Sequence, residues 1–416
     1  MAQKGKKAAN GSGTIRKRSD GSWEGRATIG VNPGSGKPIR KSVYAKTKSE
    51  CAEKLRAITA QIDSGSYLEP SKVTVKGWFT EWFDSYMGDK KPLTVKQYRS
   101  MAESHIFPAL GAVKLSCLTA PMLTKFYNQL AVDGKTVSCT DRKTGKVTIT
   151  RKPSSPKTIK NIHGIISKAL DDAVDQGLLK SNVAGRAKVP RVEKKEIVPL
   201  TEEQQQAFFK AIKDHKYRWL YTTILFTGLR ECEAIGLTWD CVDFKHGTLR
   251  VYRQLQKRPI AEGGYQFAAL KNDKARVIKL SPYMIEVFKT QQAKQIEERF
   301  AAGDVWQGWQ SDRERKEHFV FTDPLGSHLS VDTVYNQFKR IAKSIDAPAA
   351  RVHDLRHTFA VNSLQEGDDY KTLQENLGHA TASFTLDVYG HVSDKMKEES
   401  ARRQQGYIQR MGLQSS

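Results

Sequence analysis

The spacing of apolar and polar positions changes twice along the chain. In the first seventy residues the runs GTIRKRSDGSWEGRATIGVN and KPIRKSVYA read as short strands around turns at Asp20-Gly21 and at Pro33 to Gly36. A helix through about Ser49 to Ser64 follows. Trp23, Ile29, Val31, Val43 and Tyr44 are expected on one face of a three-stranded sheet, packed on Leu55, Ile58 and Ile62. Beyond a linker from Tyr67 to Lys72, the period becomes helical: Val75, Trp78, Phe79, Trp82, Phe83 and Tyr86 fall on one face. These aromatics read as core rather than as a base-stacking platform. Further helices are predicted over Thr94–Ile106, Ala120–Leu130, Thr158–Gln176 and Ser181–Ala184, with a basic hairpin over Ser138–Pro153. After the charged, Pro190-containing stretch Arg186 to Glu196, an apolar helix is predicted over Trp219–Phe226. Strands are predicted up to Leu270 and over Ala275–Leu280, and helices from His353 to Gln365, over Tyr370–Leu377, stopped by Gly378, and over Ser383–Val388. Residues 1–13, rich in Lys, Gly, Ala and Ser, are expected to lack fixed structure.

At 416 residues the chain has room for two or three domains. Its formal net charge of +23 favours a polyanionic partner, nucleic acid above all. The distribution sharpens this. Lys and Arg stand against Asp and Glu as 14 to 6 in residues 1–69, 23 to 11 in 70–196 and 31 to 28 in 197–416. The excess therefore sits before residue 197, where a phosphate backbone would be gripped with counterion release. The five cysteines, Cys51, Cys117, Cys139, Cys232 and Cys241, are odd in number and form no close metal-ligand pair, which fits free thiols in a reducing compartment. No run approaches the roughly 20 apolar residues of a membrane span, and the Lys-rich start lacks a signal-peptide core. A bacterial cytoplasmic location, nucleoid-associated when bound to DNA, is expected, with no membrane partner.

Six chemistry-bearing residues then occur in order: Arg230 in TGLRECEAIGL, Lys271 in ALKNDKARVIKL, His353 and Arg356 in HDLRHTFA, His379 in LGHAT and Tyr389 in DVYGHV. Their order, contexts and the ten-residue step from His379 to Tyr389 resemble the tyrosine recombinase, or phage integrase, family. The resemblance implies metal-free transfer of a DNA phosphoryl group to Tyr389, the nucleophile. A phenol has a pKa near 10, so its proton must be taken up, and charge developing on phosphoryl oxygens needs fixed donors. Arg230 and Arg356 would clamp the phosphate, because a guanidinium gives two hydrogen bonds and stays charged. Glu233 would orient Arg230 from one helical turn away. Lys271, on a hairpin tip, would protonate the departing 5′ oxygen, with Lys274 in the same turn as its rival. His353 would accept or relay the tyrosine proton, and His379 would donate to a non-bridging oxygen. His353, Asp354 and His357 also sit at spacings that suggest a metal site, but the glutamate of an HExxH helix and a third ligand are missing. No metal or cofactor is expected.

The fold class expected is multidomain, mainly α with small β-sheets. By resemblance, residues 1–69 form an arm-type DNA-binding domain of a three-stranded sheet plus a helix, 70–196 a helical core-binding domain and linker, and 197–416 an α+β catalytic domain with a tail at 393–416. A β-ribbon fits a DNA major groove, and Arg16, Lys17, Arg18, Arg26, Arg40 and Lys41 are the candidate contacts. The tail is expected either to remain disordered or to dock on a neighbouring subunit. The resulting expectation is an integrase of a phage or integrative element, acting as a homo-tetramer on core-type and arm-type sites in double-stranded DNA. An excisionase and a host DNA-bending protein are its expected accessory partners. The rivals are a type IB topoisomerase-like enzyme and a catalytically inactive DNA-binding regulator.

Overall fold

The structure, a computed structural model, describes residues 13–31, 34–64, 72–140, 144–145, 147–193, 198–258, 264–270, 274–378 and 393–412. The chain forms two compact units, 1–194 and 195–416.

The first unit begins with strands β1 (Thr14–Lys17), β2 (Trp23–Val31) and β3 (Pro38–Ala45), antiparallel in the order β1-β2-β3, and helix α1 (Lys48–Asp63). The tight β1–β2 turn places Gly21 at φ 84°, in the left-handed region that suits glycine. The Thr47 side chain caps α1 by accepting from the Glu50 N–H. One expectation fails here. Tyr44 and Val31 are exposed, and the face toward α1 instead carries Gly25 and Ala27, against Cys51 and Leu55. Adjacent strand residues point to opposite faces, so Val43 and Tyr44 cannot share one. A Cβ on Gly25 would lie 3.2 Å from the Cys51 Sγ, so the bare backbone there permits close approach of the helix.

Residues 72–193 form a helical bundle: α2 (Val75–Ser85), α3 (Pro92–Met101), a π-turn at Ala102–Ile106, α4 (Phe107–Leu110), α5 (Ala120–Asp133) and α6 (Pro156–Asp175). A 3₁₀ turn at Ala184–Arg186 stands where a short helix is expected at Ser181–Ala184. Trp78 and Trp82 are buried as core, and their indole N–H groups donate to the Ala169 carbonyl and the Asp172 carboxylate. Between α5 and α6, strands β4 (Lys135–Thr140) and β5 (Val147–Lys152) form the expected basic hairpin.

The second unit opens with α7 (Glu202–Ala211), α8 (Arg218–Thr227) and α9 (Glu231–Ile235). Five short strands follow: β6 (Val242–Asp243), β7 (Thr248–Val251), β8 (Arg253–Lys257), β9 (Tyr265–Ala269) and β10 (Arg276–Lys279). Helices α10 (Pro282–Ala302), α11 (Asp312–Glu317), α12 (Val331–Ser344), α13 (Val352–Gln365) and α14 (Tyr370–Leu377) complete the packed part. Phe208, Tyr221, Phe288 and Phe338 anchor the core. The strands are not joined as expected around Lys271: β9 pairs with β8, whereas β10 pairs with β7 in a separate sheet ordered β10-β7-β6. The buried Ile278 sits opposite the buried Leu249, so core packing draws β10 away from β9. The tail forms a final helix, Ser393–Arg410.

Candidate active site

Two sharp chain reversals build the site. Helix α8 ends at Gly228, whose φ of 64° is left-handed and where a Cβ would collide with the Phe359 ring. The chain turns there, and Arg230 becomes the residue that caps the start of α9. Its backbone N–H donates to the Glu233 carboxylate at 3.0 Å, and its guanidinium donates to the same group at 2.8 Å. Helix α13 starts in the same way, with the Arg351 N–H donating to the Asp354 carboxylate at 2.8 Å. A carboxylate three residues into a helix thus satisfies an otherwise orphaned amide at each start. His353 and Arg356 occupy the first turns of α13.

The second reversal is the end of α14. Gly378 is left-handed at φ 62°, so α14 ends with carbonyls that have no helical partner. Three arginines from three elements occupy them. The Asn376 carbonyl accepts from Arg276 Nε at 2.8 Å, the Leu377 carbonyl from Arg356 at 2.6 Å and the Gly378 carbonyl from Arg230 at 3.3 Å. Arg356 also donates to the Gly228 carbonyl at 2.5 Å, which ties the two reversals together. Cations at a helix C-terminus also meet the negative end of its dipole.

Glu233 is the electrostatic centre. Besides Arg230 it accepts two hydrogen bonds from Arg276, at 2.6 and 3.2 Å. Burial pushes its carboxyl upward, but the hydrogen bonds and charge of Arg276, with the charge of Arg230, outweigh this and hold it down at about 2. His353 is an exposed residue, but desolvation of its ring, then His357 and Arg356, push the imidazole down to about 4. His357 is lowered to about 4 as well, chiefly by burial, and its ring meets that of His353 edge-on at 4.7 Å. Both imidazoles are therefore neutral at pH 7 and weaker bases than a free imidazole.

Arg230, Glu233 and Arg356 thus gather about the end of α14, and His353 lies within electrostatic reach of Arg356 and Arg230. Lys271, His379 and Tyr389 lie outside the described residues, as does the short helix expected at Ser383–Val388. Gly378 is the last described residue before His379, so the gathered guanidiniums hold the chain at the point where that segment leaves. Lys274 is described and exposed. Among the described residues no cluster of His, Cys, Asp or Glu could hold a metal ion, and no helix is long and apolar enough to cross a membrane.

Sequence reasoning overlooked Arg276. Its signal was parity: in Arg276-Val277-Ile278 the buried Ile278 marks the inward face, Val277 is exposed, and Arg276 shares the parity of Ile278. An arginine on an inward face requires a partner.

In the amino-terminal sheet the register divides the six candidate contacts. Arg16, Arg26 and Arg40 lie on the face away from α1, and Arg18 lies over the Tyr44 ring on that side. Lys17 and Lys41 align with Trp23 and Ala27 on the face that carries α1. Glu24 sits among the first group, accepting from Arg16 at 2.7 Å, Arg26 at 2.9 Å and Ser42 at 2.9 Å.

Residues 198–396 match the Phage integrase family, and residues 74–131 match the family's N-terminal SAM-like domain. The chain is 28% identical over 386 residues to a tyrosine recombinase XerC-like protein of Caldanaerobacter subterraneus subsp. tengcongensis, covering 89% of this chain and 92% of that one. It is 22% identical over 391 residues to the ICEBs1 integrase of Bacillus subtilis, covering 93% and 98%. Its fold is similar to that of the Tn1549 transposon integrase solved in complex with a circular intermediate DNA. The TM-score is 0.62 at 20% identity, over 80% of this chain and 99% of that one.

Proposed function

Because the chain belongs to the phage integrase family of site-specific tyrosine recombinases, we propose that it integrates and excises a mobile element by cutting and rejoining duplex DNA through Tyr389. The Tyr389 oxygen attacks the scissile phosphorus, the bond to the 5′ oxygen breaks, and a 3′-phosphotyrosyl bond forms. The tyrosine proton passes to His353, and the departing 5′ oxygen takes a proton from Lys271. Arg230, Arg356 and His379 hold the non-bridging oxygens, and Glu233 orients Arg230. Attack by a 5′ hydroxyl of the partner duplex reverses the step on a new strand, and the conserved bond energy removes any need for ATP. The observation that carries this reading is the convergence of Arg230 and Arg356 on the consecutive carbonyls of Leu377 and Gly378 at the end of α14, directly before His379 in the chain.

In this reading residues 1–69 take arm-type sites, 70–196 take core-type sites together with the catalytic residues 197–416, and four copies assemble on two duplexes in the bacterial cytoplasm. Arg16, Arg18, Arg26 and Arg40 are the foremost arm contacts, with Lys17 and Lys41 behind them. An excisionase and a host DNA-bending protein set the direction. The test is covalent trapping on a nicked duplex carrying the element's core-type site, comparing the wild type with Tyr389→Phe on a denaturing gel. An adduct in the wild type alone supports the reading. Site binding without an adduct would favour the inactive regulator, and relaxation of supercoiled DNA without recombinants at paired sites would favour the topoisomerase.

A further inference from the structure

Arg276 has no place in the chemistry just described, yet it makes three hydrogen bonds within the cluster around it. Its side chain is only 8% exposed. One edge of the guanidinium makes two hydrogen bonds to Glu233, and Nε donates to the Asn376 carbonyl. Glu233 in turn holds both the backbone and the guanidinium of Arg230. Arg276 thus joins the α8–α9 reversal, which carries Arg230, to the end of α14, which leads to His379. It also lies on β10, two residues after Lys274.

We propose that Arg276 is a positioning residue of this active site, setting the spacing between Arg230 and the α14 terminus through Glu233. The inference rests on the phosphoryl-transfer reading given above. Without Arg276, Glu233 keeps only Arg230 as its ion-pair partner in this cluster and is free to swing with it, and the Asn376 carbonyl loses its donor. A buried carboxylate facing one cation draws that cation inward, away from a phosphate. Displacement of a catalytic group by about 1 Å costs on the order of 10²-fold in rate.

Arg276→Lys and Arg276→Gln are compared with the wild type in single-turnover adduct formation on the nicked core-site duplex, with rates normalised to the fraction of protein that binds it. Lys keeps a buried cation and Gln keeps a donor, so each preserves a different part of the packing. The duplex is used in two forms, one with an ordinary scissile phosphate and one with a scissile methylphosphonate, which lacks the negative charge that Arg230 neutralises. The expected result is an adduct rate lowered on the order of 10²-fold on the phosphate, and only a few-fold on the methylphosphonate. Glu233→Gln should show the same contrast, and combining it with Arg276→Lys should add little, because the two act through one linkage. Equal slowing on both substrates, independent effects that multiply in the double variant, or unaltered rates would overturn the proposal. A wild type that forms no adduct would instead overturn the underlying reading.

Discussion

Glu24 and Glu233 are the same device in two settings. Each is a carboxylate almost wholly removed from solvent that holds two arginines, and each is held at about 2. For Glu24 the bond from Arg26 leads and burial opposes it; for Glu233 burial opposes and Arg276 and Arg230 prevail. The arginines differ. Beside Glu24, Arg16 and Arg26 have side chains 61% and 38% exposed; beside Glu233, Arg230 and Arg276 are at 21% and 8%. Exposed guanidiniums retain water and mobility, so the sheet presents them as a charged face suited to a polyanion. Guanidiniums enclosed with their carboxylate have little freedom and act as fixed charges, which is what stabilising a developing phosphorane requires. Burial of the cations, rather than the pairing itself, separates the two settings.

The comparison is tested most severely by neutralising each carboxylate. Glu233→Gln leaves two buried arginines without their anion and is expected to cost about 3–5 kcal/mol of stability, read by chemical denaturation, with adduct formation falling as well. Glu24→Gln should lower the melting temperature much less. It should weaken arm-site binding in a gel shift even though it removes a negative charge, because the arginines lose their common anchor. Equal destabilisation by the two variants would break the contrast.

A smaller effect is expected at Gly378. Its left-handed backbone resists a side chain, and a Cβ there would sit 3.0 Å from Arg276 Nη1. Gly378→Ala should cost roughly 1–2 kcal/mol and slow adduct formation while leaving arm-site binding unaltered. Loss of arm-site binding in this variant would show that the two regions do not act separately.

The subtlest difference is in acid. His353 and His357 are lowered to about 4 from an ordinary value near 6.5. A lowered base favours unfolding when protons are supplied, so their contribution is intact above pH 6.5 and declines as the pH falls to about 4. Glu233 acts later, its contribution being intact above about 4.5 and lost toward 2. Residues 13–64 contain no histidine, and Glu24 follows only the lower window. Amide exchange should therefore accelerate in α13 between pH 6.5 and 4 while β2 holds its protection. Simultaneous acceleration in both would contradict the assignment.

Much of this was legible in the chain. Tyr370–Leu377 was readable to its ends, because Gly378 supplies a local stop and apolar spacing marks the turns between. Trp78 and Trp82 were readable as core from helical period. The ordered motif from Arg230 to Tyr389 pointed to the family that residues 198–396 match. Which side of the amino-terminal sheet meets α1 was not legible: Val43 and Tyr44 are both apolar enough to be core, and only pairing with Glu24 and Gly25 decides between them.

What the sequence by itself determined is therefore mostly local: element types and helix ends, set by interactions within a few residues, together with the family to which the ordered motif points. The tertiary structure alone decided that β10 leaves β9 for β7 and that Arg276, Arg356 and Arg230 meet on three consecutive carbonyls. Those contacts join residues 21 to 148 positions apart. Separations of that length have no local signal, because they are settled by which apolar faces can be buried together and which buried charges can then be paired.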